Sequence, residues 1–315
     1  MRNYKYEIKI DDIGKRLDLT LKEYNKNISR NYIINLIKLG KVKINKKTIS
    51  VPSYKIRDLG NIEFELAETN QTQKKKKMAL NIIYEDQDLI VINKQANILT
   101  HGNEYNKNFS LVDLLLQKNI LLSNGDDNFK RGVVHRLDKD TSGLIVFAKN
   151  DFTSSQLKQQ FAERTVKKVY ISIVWGKPSP AIGSVKLSIG NYLNNKKKVT
   201  LNNEGKNALT DYKVIKSYLN LFSLVECKIH TGRTHQIRLH MRSLGCPLVG
   251  DKLYAKDRNI SKNLPNNITK AITFFNRQAL HAKELSFYHP IKKKQLTFRI
   301  ETPPDMYELE TTIFD

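Results

Sequence analysis

With only two cysteines, Cys227 and Cys246, in 315 residues and no CxxC pair, the chain has neither a disulfide framework nor a thiol-based metal motif. That fits a reducing compartment. No apolar run approaches the roughly 18 residues that cross a bilayer, and the opening MRNYKYEIKIDD lacks the apolar stretch of a secretory signal. A cytoplasmic protein with no membrane partner is therefore expected. Acidic residues are also scarce: 31 Asp and Glu stand against 54 Lys and Arg, a formal net charge of +23. An excess of this size attracts polyanions and gives salt-dependent affinity for phosphate backbones, so nucleic acid is the leading partner. Arginine itself is rare, 13 residues against 41 lysines. Because only Arg offers a planar fork for phosphate or carboxylate, its positions mark places where that fork matters. Five of the 13 fall in two segments, RGVVHRLD with Arg131 and Arg136, and GRTHQIRLHMR with Arg233, Arg238 and Arg242.

At this length two domains are the default. The polar stretch QTQKKKK, residues 71–77, reads as a linker. We place one domain at residues 1–73, the basic linker at 74–78 and a second domain at 79–315. In the first, Leu17, Leu21 and Tyr24 follow helical spacing. A second helix with Ser29 as N-cap and Gly40 as stop would bury Ile33, Leu36 and Ile37. Val42 and Ile44 then alternate with lysines, as in a half-buried strand leading into a small hairpin.

The order of RLD at Arg16–Asp18, SR at Ser29–Arg30 and IKLGKVKINKK at Ile37–Lys47 resembles an S4 RNA-binding domain, with a core of about residues 12–66. The resemblance implies that Arg16, Arg30, Lys38 and Lys41 contact structured RNA along one basic groove. A basic helical domain that merely packs on its neighbour is the competing view.

After the linker, strand-like runs dominate: NIIYED, DLIVINK, RGVVH, GLIVFAK, KVYISIVWG, LFSLVECKIH and LTFRI. Helical patterns interrupt them at SLVDLLLQKN, where Ser110 and Asp113 suggest a capping box, at TSSQLKQQFAER and at THQIRLHMRSLG. Residues 255–270, rich in Asn and Lys, read as a surface loop. Because helices and strands do not alternate regularly, the expected class is α+β.

A polar loop from His135 to Gly143 lies between two of these strands, a place where a reactive group can be held. From the loop alone, Asp138 could form a turn, cap a helix or bind a metal. HRLDKD is superficially like a kinase HRD loop, yet the kinase order of HRD, a later Asn, a Gly-rich loop and DFG is missing. His230, His235 and His240 recur every five residues, which matches neither a helical i, i+4 pair nor a zinc pattern, so no metal is expected.

HRLDKDTSGLIVFAK is similar to the signature motif of the RluA family of pseudouridine synthases. INKQANILTHG, KVYISIVWG, TGRTHQIRLHMRSLGCPLVGDKLY and LHAKELSFYHP extend the likeness over nearly all of residues 80–305. The LTHG form and the S4 domain look most like the RluC branch, which acts on ribosomal RNA of the large subunit. The resemblance implies a large mixed, mainly antiparallel sheet with flanking helices, and isomerisation of uridine in RNA. That reaction has no net redox change and needs no cofactor. We expect a monomer. The alternative is a non-catalytic S4-type RNA-binding or ribosome-assembly protein that keeps the fold.

Asp138 would be the nucleophile, attacking the sugar or the base, or assisting a glycal route. A carboxylate beside an apolar base needs a nearby cation to stay charged. The motif match makes Arg238 that cation, with Arg233 the weaker candidate; a phosphate contact or surface ion pair is the bland reading of Arg238. Helical spacing puts His235, Arg238 and Arg242 on one face and Ile237, Met241 and Leu244 on another. Strand alternation puts Tyr170 on the face opposite Val169, Ile171 and Ile173. Packing is the ordinary fate of such a tyrosine, whereas the resemblance makes it the platform for the uracil. Arg136 matches the residue that fills the space left by the extruded base, and Ile237 either lines the base pocket or packs the core. His101 and Asp251 match family positions without an evident role, and Gln95 replaces the usual proline of the upstream motif.

Overall fold

The computed structural model describes every residue except 1, 26–29, 67–77, 103–108, 126–128, 193–194 and 259–263. Two compact units emerge, one within residues 1–77 and the other within 78–102 and 108–315. The proposed cap Ser29 and the linker up to Lys77 lie outside the described residues.

The first unit contains β1 (Arg2–Ile8), α1 (Leu17–Tyr24), α2 (Arg30–Lys38), β2 (Val42–Ile44), β3 (Lys47–Ile49) and β4 (Gly60–Leu66). The strands form an antiparallel sheet in the order β1-β4-β2-β3. Leu17 and Leu21 of α1 meet Ile33, Leu36 and Ile37 of α2 over Val42, Ile44, Ile62 and Phe64. Gly40, at φ +67, supplies the left-handed residue that ends α2. The sheet is larger than the expected hairpin because β1 and β4 add two strands. Tyr24 is only partly buried; its hydroxyl donates to Asp12 at 2.6 Å while its ring stacks on Tyr6.

The second unit begins with β5 (Ile82–Glu85), β6 (Leu89–Lys94), α3 (Leu111–Gln117), β7 (Ser142–Ala148), α4 (Asp151–Glu163) and β8 (Lys167–Trp175). It continues through β9 (Ile182–Lys186), β10 (Ile189–Tyr192), β11 (Asn195–Leu201), β12 (Leu209–Tyr218), β13 (Phe222–Ile229) and α5 (Gln236–Ser243). α6 (Asn266–Phe274), β14 (Leu280–His289), β15 (Lys294–Arg299) and α7 (Pro304–Phe314) complete it. Among the described residues, nine strands form one sheet in the order β5-β6-β7-β14-β8-β13-β12-β9, with β15 against β14. The β7–β14 pair is parallel and the others are antiparallel. The class is α+β.

Both faces of this sheet are covered. On β8, Ile171 and Ile173 pack towards α6 and α7, whereas Tyr170 and Val174 join the core shared with α3 and α5. Ser110 and Asp113 do form a capping box, which starts α3. Two expectations fail. RGVVH is not a strand: Gly132, at φ +71, turns the chain, and only Val133 bridges to Phe147. The end of the expected 255–270 loop is the start of α6, because Ile268 and Ile272 at i, i+4 bury one face against α7 and the sheet.

Candidate active site

The parallel pairing of β7 with β14 fixes where the 135–141 loop emerges. It requires close backbone approach at Gly143, where φ is +116 and an added Cβ would lie 2.3 Å from the carbonyl oxygen of Ala282. No side chain fits there.

Buried side chains then take the loop's carbonyls. Thr100 Oγ1 donates to Leu137 O at 2.9 Å and accepts from Leu137 N at 3.1 Å. Lys94, 1% exposed at the end of β6, donates to the carbonyls of Gln95, Ile98 and Lys139 at 2.9–3.0 Å. Arg277 Nη1 donates to Asp140 O at 3.3 Å while its fork grips Asp305, and Thr141 N closes the turn on Asp138 O at 3.1 Å. The backbone on either side of Asp138 is thus fixed from beneath. Burial pushes the Lys94 ammonium down to about 7, against the opposing pull of Asp138 and Asp140.

The Asp138 carboxylate, 17% exposed, points into a cavity of about 310 Å³. Arg238 Nη1 donates to its Oδ2 at 3.2 Å. The other edge of that guanidinium, Nε and Nη2, forks onto Asp251 at 2.7 and 2.8 Å. Asp251 is fully buried and also accepts from the amides of Leu253 and Tyr254. Burial alone would raise the Asp251 carboxyl, but Arg238 and the two amides outweigh it and hold it below the usual range. Arg238 in turn lies 5.0 Å over the ring of Tyr254. One cation therefore bridges two carboxylates from a fixed position.

His235 completes the ring around Asp138. Tyr254 Oη donates to Val199 O at 2.9 Å, so its contact with His235 Nδ1, also 2.9 Å, requires that Nδ1 carry the proton. The Nε2 acceptor then faces Asp138 Oδ2 at 3.8 Å, and burial keeps the imidazole more readily neutral than usual. Tyr170, 7% exposed, lines the same cavity, and burial followed by the Asp138 charge holds its phenol protonated well above the ordinary range. It offers a flat ring and an O–H donor, but little basicity.

Residues 88–243 match the profile of the RNA pseudouridylate synthase family and residues 15–60 that of the S4 domain. The chain is 36% identical to the ribosomal large subunit pseudouridine synthase D of Buchnera aphidicola subsp. Acyrthosiphon pisum over 299 residues, covering 94% of each. The chain belongs to the RNA pseudouridine synthase family. It is also 36% identical to an uncharacterized RNA pseudouridine synthase of Aquifex aeolicus, covering 94% of this chain and 93% of the relative. The solved structure of human RNA pseudouridylate synthase domain containing 4 superposes with a TM-score of 0.57 at 25% identity, covering 74% of this chain and 92% of that one.

In this pseudouridine synthase the second unit gathers Asp138, Tyr170, Ile237 and Arg238 around one cavity. Ile237 both lines it and belongs to the core. Arg233 also lines it, but donates to Asn207 O at 3.3 Å rather than to Asp138. Arg136 is exposed at the junction with a second opening, whose basic wall includes Lys139, Lys252 and Arg277. Arg242 does not share the site: one turn beyond Arg238 on α5, it is about half exposed and points outward to Asp257 at 3.7 Å. The three histidines separate as well, His230 binding Asp211 and His240 binding Thr210.

In the first unit, Arg16 and Arg30 are about half exposed and both grip the interior carboxylate of Asp18, at 2.9 and 2.8 Å. Lys38 and Lys41 are exposed. The residues that sequence reasoning did not assign are the supports Lys94, Thr100, Asp251, Tyr254 and Arg277. Two of them carried a visible signal: Asp251, through its match to a family position, and Lys94, a lysine closing the apolar run LIVINK.

Proposed function

We propose that this chain isomerises uridine to pseudouridine in ribosomal RNA of the large subunit, with Asp138 as nucleophile, Arg238 as its charge partner and Tyr170 as the platform for the extruded uracil. The observation that carries this reading is the carboxylate of Asp138, set in a cavity of about 310 Å³ and held by a cation that a second carboxylate fixes. The glycosidic C1′–N1 bond breaks, a C1′–C5 bond forms, C5 gives up its proton and N1 gains one. Since the books balance without electrons or water, the site must supply only a nucleophile, a surface on which the base turns, and charge stabilisation.

Arg136 stands at the cavity rim, where a guanidinium that stacks and binds phosphate suits the space left in the RNA. Arg233, on the same wall, is assigned to RNA contact. Residues 1–73 serve as the RNA-binding domain, with Arg16, Arg30, Lys38 and Lys41 as contacts, 74–78 as linker and 79–315 as catalytic domain. The large-subunit substrate is inferred from relatives named ribosomal large subunit pseudouridine synthase D in Buchnera and Zymomonas. Those names favour the D branch over the C branch expected from the LTHG segment.

The test is Asp138→Ala in an assay of tritium release from RNA labelled at uracil C5. Release should vanish while RNA affinity stays within about twofold, since an alanine there removes the nucleophile and no phosphate contact. Undiminished release would reject the assignment and favour an RNA-binding protein that only retains the fold.

A further inference from the structure

Besides Arg136 and Arg233, a third cation of the cavity has no part in the ring around Asp138. Lys168 stands two residues before Tyr170 on β8, so strand alternation gives both the same face, and both line the cavity. Lys168 is only 6% exposed. Its neighbour Lys167, on the opposite face, pairs with Glu284 at 2.8 Å, but among the described residues Lys168 has no carboxylate partner. Its ammonium lies 5.5 Å from the ring of Phe161, which stacks on His135. The charge closest in influence is another cation, Arg164, an exposed residue at the left-handed end of α4. Burial, then Arg164, push Lys168 down to about 8.

Burying an ammonium without an anion disfavours folding, and packing an apolar side chain there would serve the core better. A lysine so placed fits an anion that arrives with the substrate. We propose that Lys168, with Arg164 beside it, binds a backbone phosphate of the RNA next to the target uridine. This rests on the reading of the cavity as a uridine site. The phosphate is favoured over the uracil by position: the Asp138 charge acts on Tyr170, whereas the charge that acts on Lys168 is that of Arg164, at the end of α4. A base held between Tyr170 and Asp138 leaves Lys168 beyond it, where the chain of the same nucleotide must leave the cavity.

The test compares the full-length protein with Lys168→Met and Lys168→Arg, using a transcript of large-subunit ribosomal RNA that carries a mapped site. Lys168→Met should melt no lower than the parent, because it removes an unpaired buried charge. Its RNA Kd should weaken about tenfold, and the slope of log Kd against log salt should fall by about one ion. KM should rise with kcat within about twofold of the parent, and Lys168→Arg should restore most of the affinity. An unchanged Kd and salt slope overturns the proposal, as does a loss confined to kcat, which would put Lys168 on the base. A lowered Tm with intact binding overturns it too, by making Lys168 structural. If the unmodified protein forms no pseudouridine in this transcript, the functional reading fails instead, and the Kd comparison still decides the phosphate site.

Discussion

Replacing Asp251 by asparagine tests whether the Asp138 site depends on a carboxylate that touches no substrate. Asp251 is fully buried and Arg238 is 8% exposed, so their fork is shielded from solvent. Removing one partner of such a pair costs about 3–5 kcal/mol, because the other charge is left uncompensated. Two features favour the lower end. Asp138 still faces Arg238 at 3.2 Å, and an asparagine oxygen can still accept from the amides of Leu253 and Tyr254. The asparagine NH2, however, would confront the donors of Arg238. With a cost of about 3 kcal/mol and roughly 2–4 °C per kcal/mol for a unit of this size, Tm should fall by roughly 6–12 °C.

Activity should fall further than stability requires. Once the fork is gone, Arg238 is free to turn fully onto Asp138, and a displacement of about 1 Å at a reacting group can cost on the order of a hundredfold. We expect kcat in tritium release to drop by roughly ten- to a hundredfold with little change in KM. pH supplies an independent check. A carboxyl held below its unfolded value stabilises the fold above that value, about 3.9, and the benefit is lost as pH falls through the folded value. The Tm gap between parent and Asp251→Asn should therefore be full near neutrality and shrink below about pH 4. A variant with parental Tm and kcat would refute this account of the site.

Lys94 supplies a prediction of the same sign in a higher pH window. Its ammonium titrates at about 7 in the fold and at about 10.4 when unfolded, so the unfolded chain binds more protons between these values and stability should rise with pH there. Urea midpoints at pH 7 and pH 9 should show this rise in the parent and a smaller one in Lys94→Met; equal slopes would contradict it. Deleting residues 1–73 should weaken RNA binding and flatten its salt dependence while sparing the rate at saturating RNA, and identical salt titrations would count against it.

Much of this site was legible in the chain because its chemistry is local. Asp138 lies in a polar loop beside an apolar strand, Tyr170 on an alternating strand, and Arg238 on an amphipathic helix, each within a contiguous motif. What could not be read is support contributed from afar. β14 enters between β7 and β8 in the sheet order, and that insertion brings Arg277 and Gln278 beneath the loop. No spacing within a segment encodes such a pairing. Helical periodicity also misled: it grouped Arg242 with His235 and Arg238, but Arg242, one turn beyond Arg238, is about half exposed and faces Asp257 instead of the cavity. The S4-like segment shows a related limit, since the resemblance makes Arg16 and Arg30 RNA contacts, while both also neutralise Asp18.

In the proposed mechanism the nucleophile is held in place by the protein itself. Here Thr100, Lys94 and Arg277 take the carbonyls of Leu137, Lys139 and Asp140 in turn, while Arg238 is locked by Asp251 before it reaches Asp138. Electrostatic preorganisation of this kind costs no reorganisation when the base turns. It also explains why two buried basic residues, Lys94 and Lys168, have different surroundings. Lys94 is saturated by three carbonyls and belongs to the scaffold. Lys168 lines the cavity and, among the described residues, has no carboxylate partner, so the proposed partner comes with the RNA.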